Sequence, residues 1–207
     1  MIVDDRSLYL CTPLRDDLES FLTVCISGGV DIVQLREKVA DPRSYLREAT
    51  RCREICNERG VPFIINDSPE LALEVGADGV HVGQDDVSVS RCRSVLGDDA
   101  IVGLSTHQES ELLAGVEEPV TYLSAGPVEA TPTKPGREGT GLGYASFAVE
   151  RSPVPVFVTG GVTPERIAVL GAAGIRHFVV VRALTEAPDP LRAARALRDA
   201  IDALAES

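Results

Sequence analysis

The run Thr131-Pro132-Thr133-Lys134 alternates two hydroxyls with an ammonium inside the stretch AGPVEATPTKPGREGTG, where proline and glycine forbid a helix. Taken alone, such a run is a solvated surface loop. Its lysine, however, is one of only two in a chain of 207 residues, and the other is Lys38 in QLREK. The alternation of an extended chain sends Gln34, Arg36 and Lys38 of that second string to one face. Carboxylates appear at IINDSPE, with Asn66 and Asp67, and at GQDD, with Asp85 and Asp86. Asp67 and Asp86 offer hard oxygens that suit Mg²⁺. Arg36, Lys38 and Lys134 supply positive charge around such an ion, and the hydroxyls of Ser105, Thr131 and Thr133 can donate to phosphate oxygens. This mixture exceeds what one phosphate needs and suits a diphosphate.

A second anion site is implied separately. Gly160-Gly161 permits close backbone approach just before the helix start Thr163-Pro164, and Val181-Arg182 would complete the site. Two phosphorylated ligands in one place suggest a transferase that joins them, with the diphosphate as leaving group. Each group also has a modest structural explanation. Asn66-Asp67 serves as turn and cap, Asp85-Asp86 as a solvated turn, Gly160-Gly161 as a tight strand exit. Arg36 and Lys38 can pair with Glu37, His107 can start a helix, and His81 and His177 fall within strands as satisfied core imidazoles. What decides between the readings is whether all these residues share one rim.

The elements that must position them recur regularly. Strand candidates are Leu8–Cys11, Asp31–Leu35, Pro62–Asn66, Gly79–Val82, Ile101–Leu104, Thr121–Ala125, Pro155–Thr159 and His177–Val181. Several are apolar on both parities, as strands buried on two faces require. Helices are expected over Asp16–Ile26, from Pro42 to Arg59, after Ser68-Pro69 and Thr163-Pro164, and from Pro190 through LRAARALRDAIDALA. The repeats ISGGVDIVQL, EVGADGVHV and GAAGIRHFVV each run a helix into glycine and then a strand. Eight such units fill residues 1–207 as one single-domain α/β protein, a (β/α)₈ TIM barrel. A doubly wound open sheet is the competitor, but no G-x-G-x-x-G follows the first strand. In a barrel all the polar groups above fall after strands, while the opposite junctions carry mostly Gly, Pro and Ala.

Composition narrows the partners. A formal charge of −12 leaves no basic stripe for nucleic acid. No apolar stretch approaches the roughly 20 residues that span a bilayer, and MIVDDRSLYLCTP is no secretory signal, so neither a membrane nor export is expected and the cytoplasm is. The five cysteines lack C-x-x-C spacing and read as incidental thiols.

In order and at similar spacing, QLREK, IIND, GVHVGQDD, STH, TPTK and TGGVTPE resemble the thiamine-phosphate synthase family, from about Leu8 to the final helix. The resemblance implies a (β/α)₈ barrel that joins 4-amino-2-methyl-5-(diphosphomethyl)pyrimidine to a thiazole phosphate with Mg²⁺, releasing diphosphate. It assigns Gln34, Arg36, Lys38 and Asn66 to the pyrimidine diphosphate, Asp67 and Asp86 to Mg²⁺, and Ser105 and Lys134, as the catalytic pair, to the pyrimidine and its diphosphate. It moves Thr131 and Thr133 to the thiazole phosphate, with Gly161, Val181 and Arg182. Two departures stand out: Arg182 replaces a common serine, and Glu129-Ala130 replaces a common apolar-Pro pair. A thiazole tautomerase-like isomerase and a non-catalytic phosphate-binding barrel are the alternatives. Oligomeric state stays open, as does whether residues 135–143 close over the ligands.

Overall fold

Strands whose side chains are apolar on both faces need cover on both. In the computed structural model, which describes residues 3–37, 41–130 and 138–205, a closed parallel barrel supplies it. The strands are β1 (Leu8–Thr12), β2 (Ile32–Leu35), β3 (Phe63–Asn66) and β4 (Gly79–Val82), then β5 (Ile101–Thr106), β6 (Tyr122–Ala125), β7 (Val156–Thr159) and β8 (His177–Val180). They pair in chain order, and β1 closes on β8 with Tyr9 opposite Val179. Around them lie α1 (Leu18–Ser27), α2 (Pro42–Glu58), α3 (Pro69–Val75), α4 (Val89–Leu96) and α5 (Glu109–Gly115). They are followed by α6 (Gly141–Arg151), α7 (Pro164–Ala172), the short α8 (Arg182–Thr185) and α9 (Pro190–Asp202). The TIM-barrel expectation therefore holds. One difference is local: the eighth unit carries two helices, because Val181-Arg182 turns at once into α8 before Pro190 opens α9.

Helix starts follow cap chemistry. Ser68 accepts from the Leu71 N–H ahead of Pro69, Asp41 from Ser44 ahead of Pro42, and Asp189 from Arg192 ahead of Pro190. Thr163 precedes Pro164 without such a bond; its hydroxyl instead donates to Glu165 and holds that carboxyl below its usual range.

Two packed layers result. Outside the sheet, helix faces such as Leu18, Leu22 and Cys25 of α1 and Ala194, Leu197 and Ile201 of α9 cover outward strand residues such as Leu8 and Leu10. Inside the barrel, Tyr9, Ile32, Ile64, Ile101, Tyr122 and Phe157 form a floor, with Val3 packed against it. The rings of Tyr9, Tyr122 and Phe157 meet edge to face with centroids 5.2–5.9 Å apart. Gly103 on β5 makes room for this, because the Tyr122 ring occupies the space a Cβ there would need. All five cysteines are free and buried, and burial pushes the Cys25 and Cys56 thiols up to about 12. They behave as core packing, as their spacing suggested.

The end of the barrel where strands begin departs from the expected Gly, Pro and Ala. Asp31 accepts from the Ser7 and Leu8 N–H groups and from Arg198 of α9 at 2.6 Å. Asp78 accepts from the Phe63 N–H and from Arg53 of α2, both at 2.8 Å. Short apolar strands leave their first N–H groups without ladder partners, and these carboxylates satisfy them.

Candidate active site

One step along each strand from the aromatic floor, the inward positions turn polar. Cys11, Gln34, Asn66, His81, Ser105, Ser124 and Thr159 all face a cavity of about 810 Å³ at the C-terminal ends of the strands. That size suits a small-molecule site. Parallel register explains the common height: Cys11 lies opposite Gln34, Asn66 opposite His81, and Ser105 opposite Ser124.

The described residues singled out in the sequence meet here. Gln34, Arg36 and Asn66 line the cavity, as do Asp67, Asp86 and Ser105. So do Gly161, Val181 and Arg182, beside Asp85, His107 and Gly160. Lys38, Thr131, Thr133 and Lys134 lie outside the described residues, as does residue 135–137 of the 135–143 loop. The flanks of that loop are fixed. Val128 N–H donates to the Thr159 carbonyl at 2.8 Å, and Thr140 and Gly141 donate to the Pro127 and Val128 carbonyls. Tyr144 of α6 bonds Thr106 at 2.6 Å, tying the far side to β5.

Local backbone aims several of these groups. Asp67 has φ 63°, a left-handed conformation that asparagine and aspartate tolerate better than other non-glycine residues. Its N–H donates to the His81 carbonyl at 2.9 Å, so the residue leaves β3 in a sharp turn beside the end of β4. Asp86 Oδ2 accepts from the Gly83 N–H at 2.8 Å, folding the Gly83–Asp86 turn back on itself. Gly160 and Gly161 have φ 96° and 72°, left-handed conformations that turn the chain from β7 toward α7. Across from them Glu129 reaches over Gly161 and pairs with Arg166 of α7.

Two carboxylates, Asp67 and Asp86, in a cavity that Arg36 also lines fit Mg²⁺, which uses one or two carboxylates and completes its octahedron with water and substrate phosphate.

The sequence reading did not single out Tyr9 and Tyr122, and it left His81 as a core imidazole. His81 Nε2 instead meets Ser105 Oγ at 2.8 Å and its Nδ1 meets the Tyr122 hydroxyl at 2.8 Å. The Tyr9 and Tyr122 hydroxyls lie 2.9 Å apart, and Gln34 Nε2 donates to Tyr9 at 2.9 Å. Desolvation raises both phenols well above their ordinary range, so both keep their protons. A signal was present: a tyrosine and a histidine at inward parity on strands that end in the site.

Comparison with known proteins gives a consistent picture. A family model described as thiamine monophosphate synthase matches residues 8–184. The thiamine-phosphate synthase of Thermobifida fusca is 43% identical over 201 residues, 95% of this chain and 92% of that protein. That of Thermus thermophilus is 45% identical over 84% of each. A Synechocystis protein of the same name is 39% identical over 90% of this chain, which spans only 54% of its length. Among solved structures, thiamine phosphate pyrophosphorylase from Pyrococcus furiosus superposes with a TM-score of 0.87 at 27% identity, covering 96% of each chain. A 3-hexulose-6-phosphate synthase, at 20% identity and a TM-score of 0.67, shares the fold.

Proposed function

The chain belongs to the thiamine monophosphate synthase family, and on that premise we propose that it joins 4-amino-2-methyl-5-(diphosphomethyl)pyrimidine to a thiazole phosphate, giving thiamine phosphate and diphosphate. The observation that carries this reading is the meeting of Gln34, Arg36, Asn66, Asp67, Asp86 and Ser105 in one cavity with the glycine turn Gly160-Gly161. One end of the cavity offers cations, carboxylates and a hydroxyl, the other a glycine turn at the start of α7. That division suits two phosphorylated ligands held side by side.

In the reaction proposed, the bond from the pyrimidine CH₂ to the diphosphate oxygen breaks and the oxygen keeps the electron pair. The aminopyrimidine stabilises the resulting carbocation, and the thiazole nitrogen forms the new C–N bond with its own lone pair. Arg36, Lys38 and Lys134 neutralise charge growing on the leaving group, and Ser105 donates to it or to the ring beside it. Gln34 and Asn66 orient the pyrimidine. Gly161, Val181 and Arg182 hold the thiazole phosphate through backbone N–H groups, with Thr131 and Thr133 closing on it. Asp67 and Asp86 would hold Mg²⁺, which when bound supplies Lewis-acid neutralisation of the departing diphosphate. A nitrogen nucleophile needs no general base, in keeping with a site built on charge neutralisation.

The single barrel of residues 1–207 is the catalytic unit in this reading, working on small molecules and not on nucleic acid or a membrane. No helix among the described residues is long and apolar enough to cross a membrane, and the free thiols suit a reducing cytoplasm. Incubating the purified protein with both precursors, with and without Mg²⁺, tests the reading. Diphosphate and thiamine phosphate should appear together in equal amounts and only with the metal. Absence of both products in the presence of Mg²⁺ would reject it.

A further inference from the structure

Six side chains in the barrel interior form one unbroken hydrogen-bonded chain. Cys11 Sγ donates to Gln34 Oε1 at 3.0 Å, and Gln34 Nε2 donates to the Tyr9 hydroxyl at 2.9 Å. Tyr9 and Tyr122 share a bond of 2.9 Å, Tyr122 reaches His81 Nδ1 at 2.8 Å, and His81 Nε2 reaches Ser105 Oγ at 2.8 Å. All six line the cavity, with the Tyr9 and Tyr122 rings fully buried in its floor.

Proton counting gives this chain a direction. A phenol has one proton. Tyr9 accepts from the Gln34 amide, so its proton goes to Tyr122. Tyr122 then accepts from Tyr9, and its own proton has one place left, His81 Nδ1. A histidine that accepts at Nδ1 carries its proton on Nε2 and donates to Ser105. Ser105 Oγ, already accepting, turns its proton outward into the cavity. Reversal would point the Gln34 NH₂ at the Cys11 sulfur, a weak acceptor, and would take a good acceptor from the thiol. Both phenols are buried and held protonated, so neither end of the Tyr9–Tyr122 bond can be relieved by ionisation. Geometry holds the links in place. Tyr122 fills the space over Gly103, and the His81 ring stacks on it at 5.5 Å and 22°.

We infer that Tyr9, Tyr122 and His81 act as a one-way relay that fixes the His81 tautomer and thereby leaves the Ser105 proton free to turn to the substrate as a hydrogen-bond donor. The inference deepens the synthase reading and rests on it for the identity of the ligand. An acceptor seated against Ser105, a diphosphate oxygen or a bare ring nitrogen, takes that proton, whereas a ligand presenting only N–H or O–H there leaves it unused and binds less well. His81, Tyr122 and Tyr9 are positioning residues, and Ser105 at the end of the relay touches the substrate.

Two measurements test the relay. With ¹⁵N-labelled histidine, the chain's three histidines give few enough imidazole signals for a His81→Gln variant to identify those of His81. Nε2 should carry the proton and Nδ1 should be bare; a proton on Nδ1 overturns the relay. The second is a double-mutant cycle read by single-turnover diphosphate release. Tyr122→Phe should lower the rate about 10-fold or more in the native background, the usual effect of removing a partner that orients a functional group. In a Ser105→Ala background the same substitution should change the rate by less than about twofold. An equal loss in both backgrounds means Tyr122 only supports the barrel and overturns the proposal. If Tyr122→Phe does not fold, Tyr9→Phe enters the same cycle with the same expectations. If the native protein makes no thiamine phosphate, the synthase reading falls while the imidazole signals still decide the relay.

Discussion

Asp31 and Asp78, where the strands begin, are gripped by backbone N–H groups and by Arg198 and Arg53. Asp67, Asp85 and Asp86, where the strands end, border a cavity of about 810 Å³. The residue type is the same at both ends of the barrel. At the first, each carboxylate replaces a missing ladder partner and ties a helix to the sheet, so its charge is consumed within the fold. At the second, loops lead away from the strands and leave room for a ligand between the side chains. Polarity alone therefore does not mark a site; polarity beside open volume does.

The strongest way to break this contrast is to exchange charge without disturbing shape at the ligand end. Asp67→Asn keeps a residue that tolerates φ 63°. Metal-dependent turnover should fall about 10³-fold while the thermal midpoint stays within error of the native protein. A lost fold would show Asp67 to be structural like Asp31. The reciprocal change, Asp31→Ala, strands Arg198 and two backbone donors. Unfolding in urea should show a loss of about 3 kcal/mol, with unchanged kcat for the protein that remains folded. Lys134→Ala should lower kcat about 10²-fold; near-native turnover would remove it from the leaving-group site. The smallest effect is expected at Glu129, whose carboxylate leans over Gly161 although an anion should bind there. Glu129→Gln should lower KM for the thiazole phosphate about threefold, the size of one unit charge several ångströms away in a water-like medium. A higher KM would mean that Glu129, by holding Arg166, builds the site.

Much of this arrangement was legible in the chain. Gly79–Val82 coincides with β4, and the other seven strands differ from expectation by a residue or two at their ends. β5 runs on through Ser105 and Thr106 because its polar end pairs with Ser124 and Ala125 of β6, a partnership invisible to local pattern. Proline and cap residues announced α2, α3, α7 and α9 correctly, whereas α8 has four residues and too little periodicity to be seen. At the site, charges after strands were easy to find. Tyr9 and Tyr122 were not, because an aromatic residue inside a strand reads as core, and both are core as well. Their second role depends on which hydroxyl meets which, and registers across four strands decide that. Asp31 and Asp78 were passed over because a lone acid before a strand looks like a turn.

Arg198 of α9 bonds Ser7, Gly29 and Asp31, and β8 hydrogen-bonds β1. The first and last elements of the barrel thus meet at one seam. On the ribosome the first strand waits, one edge bare, until β8 has been made, and the interval before closure is when proteases and aggregation have their opportunity. Chains ending before α9 should be degraded even though every residue of the cavity has already been made.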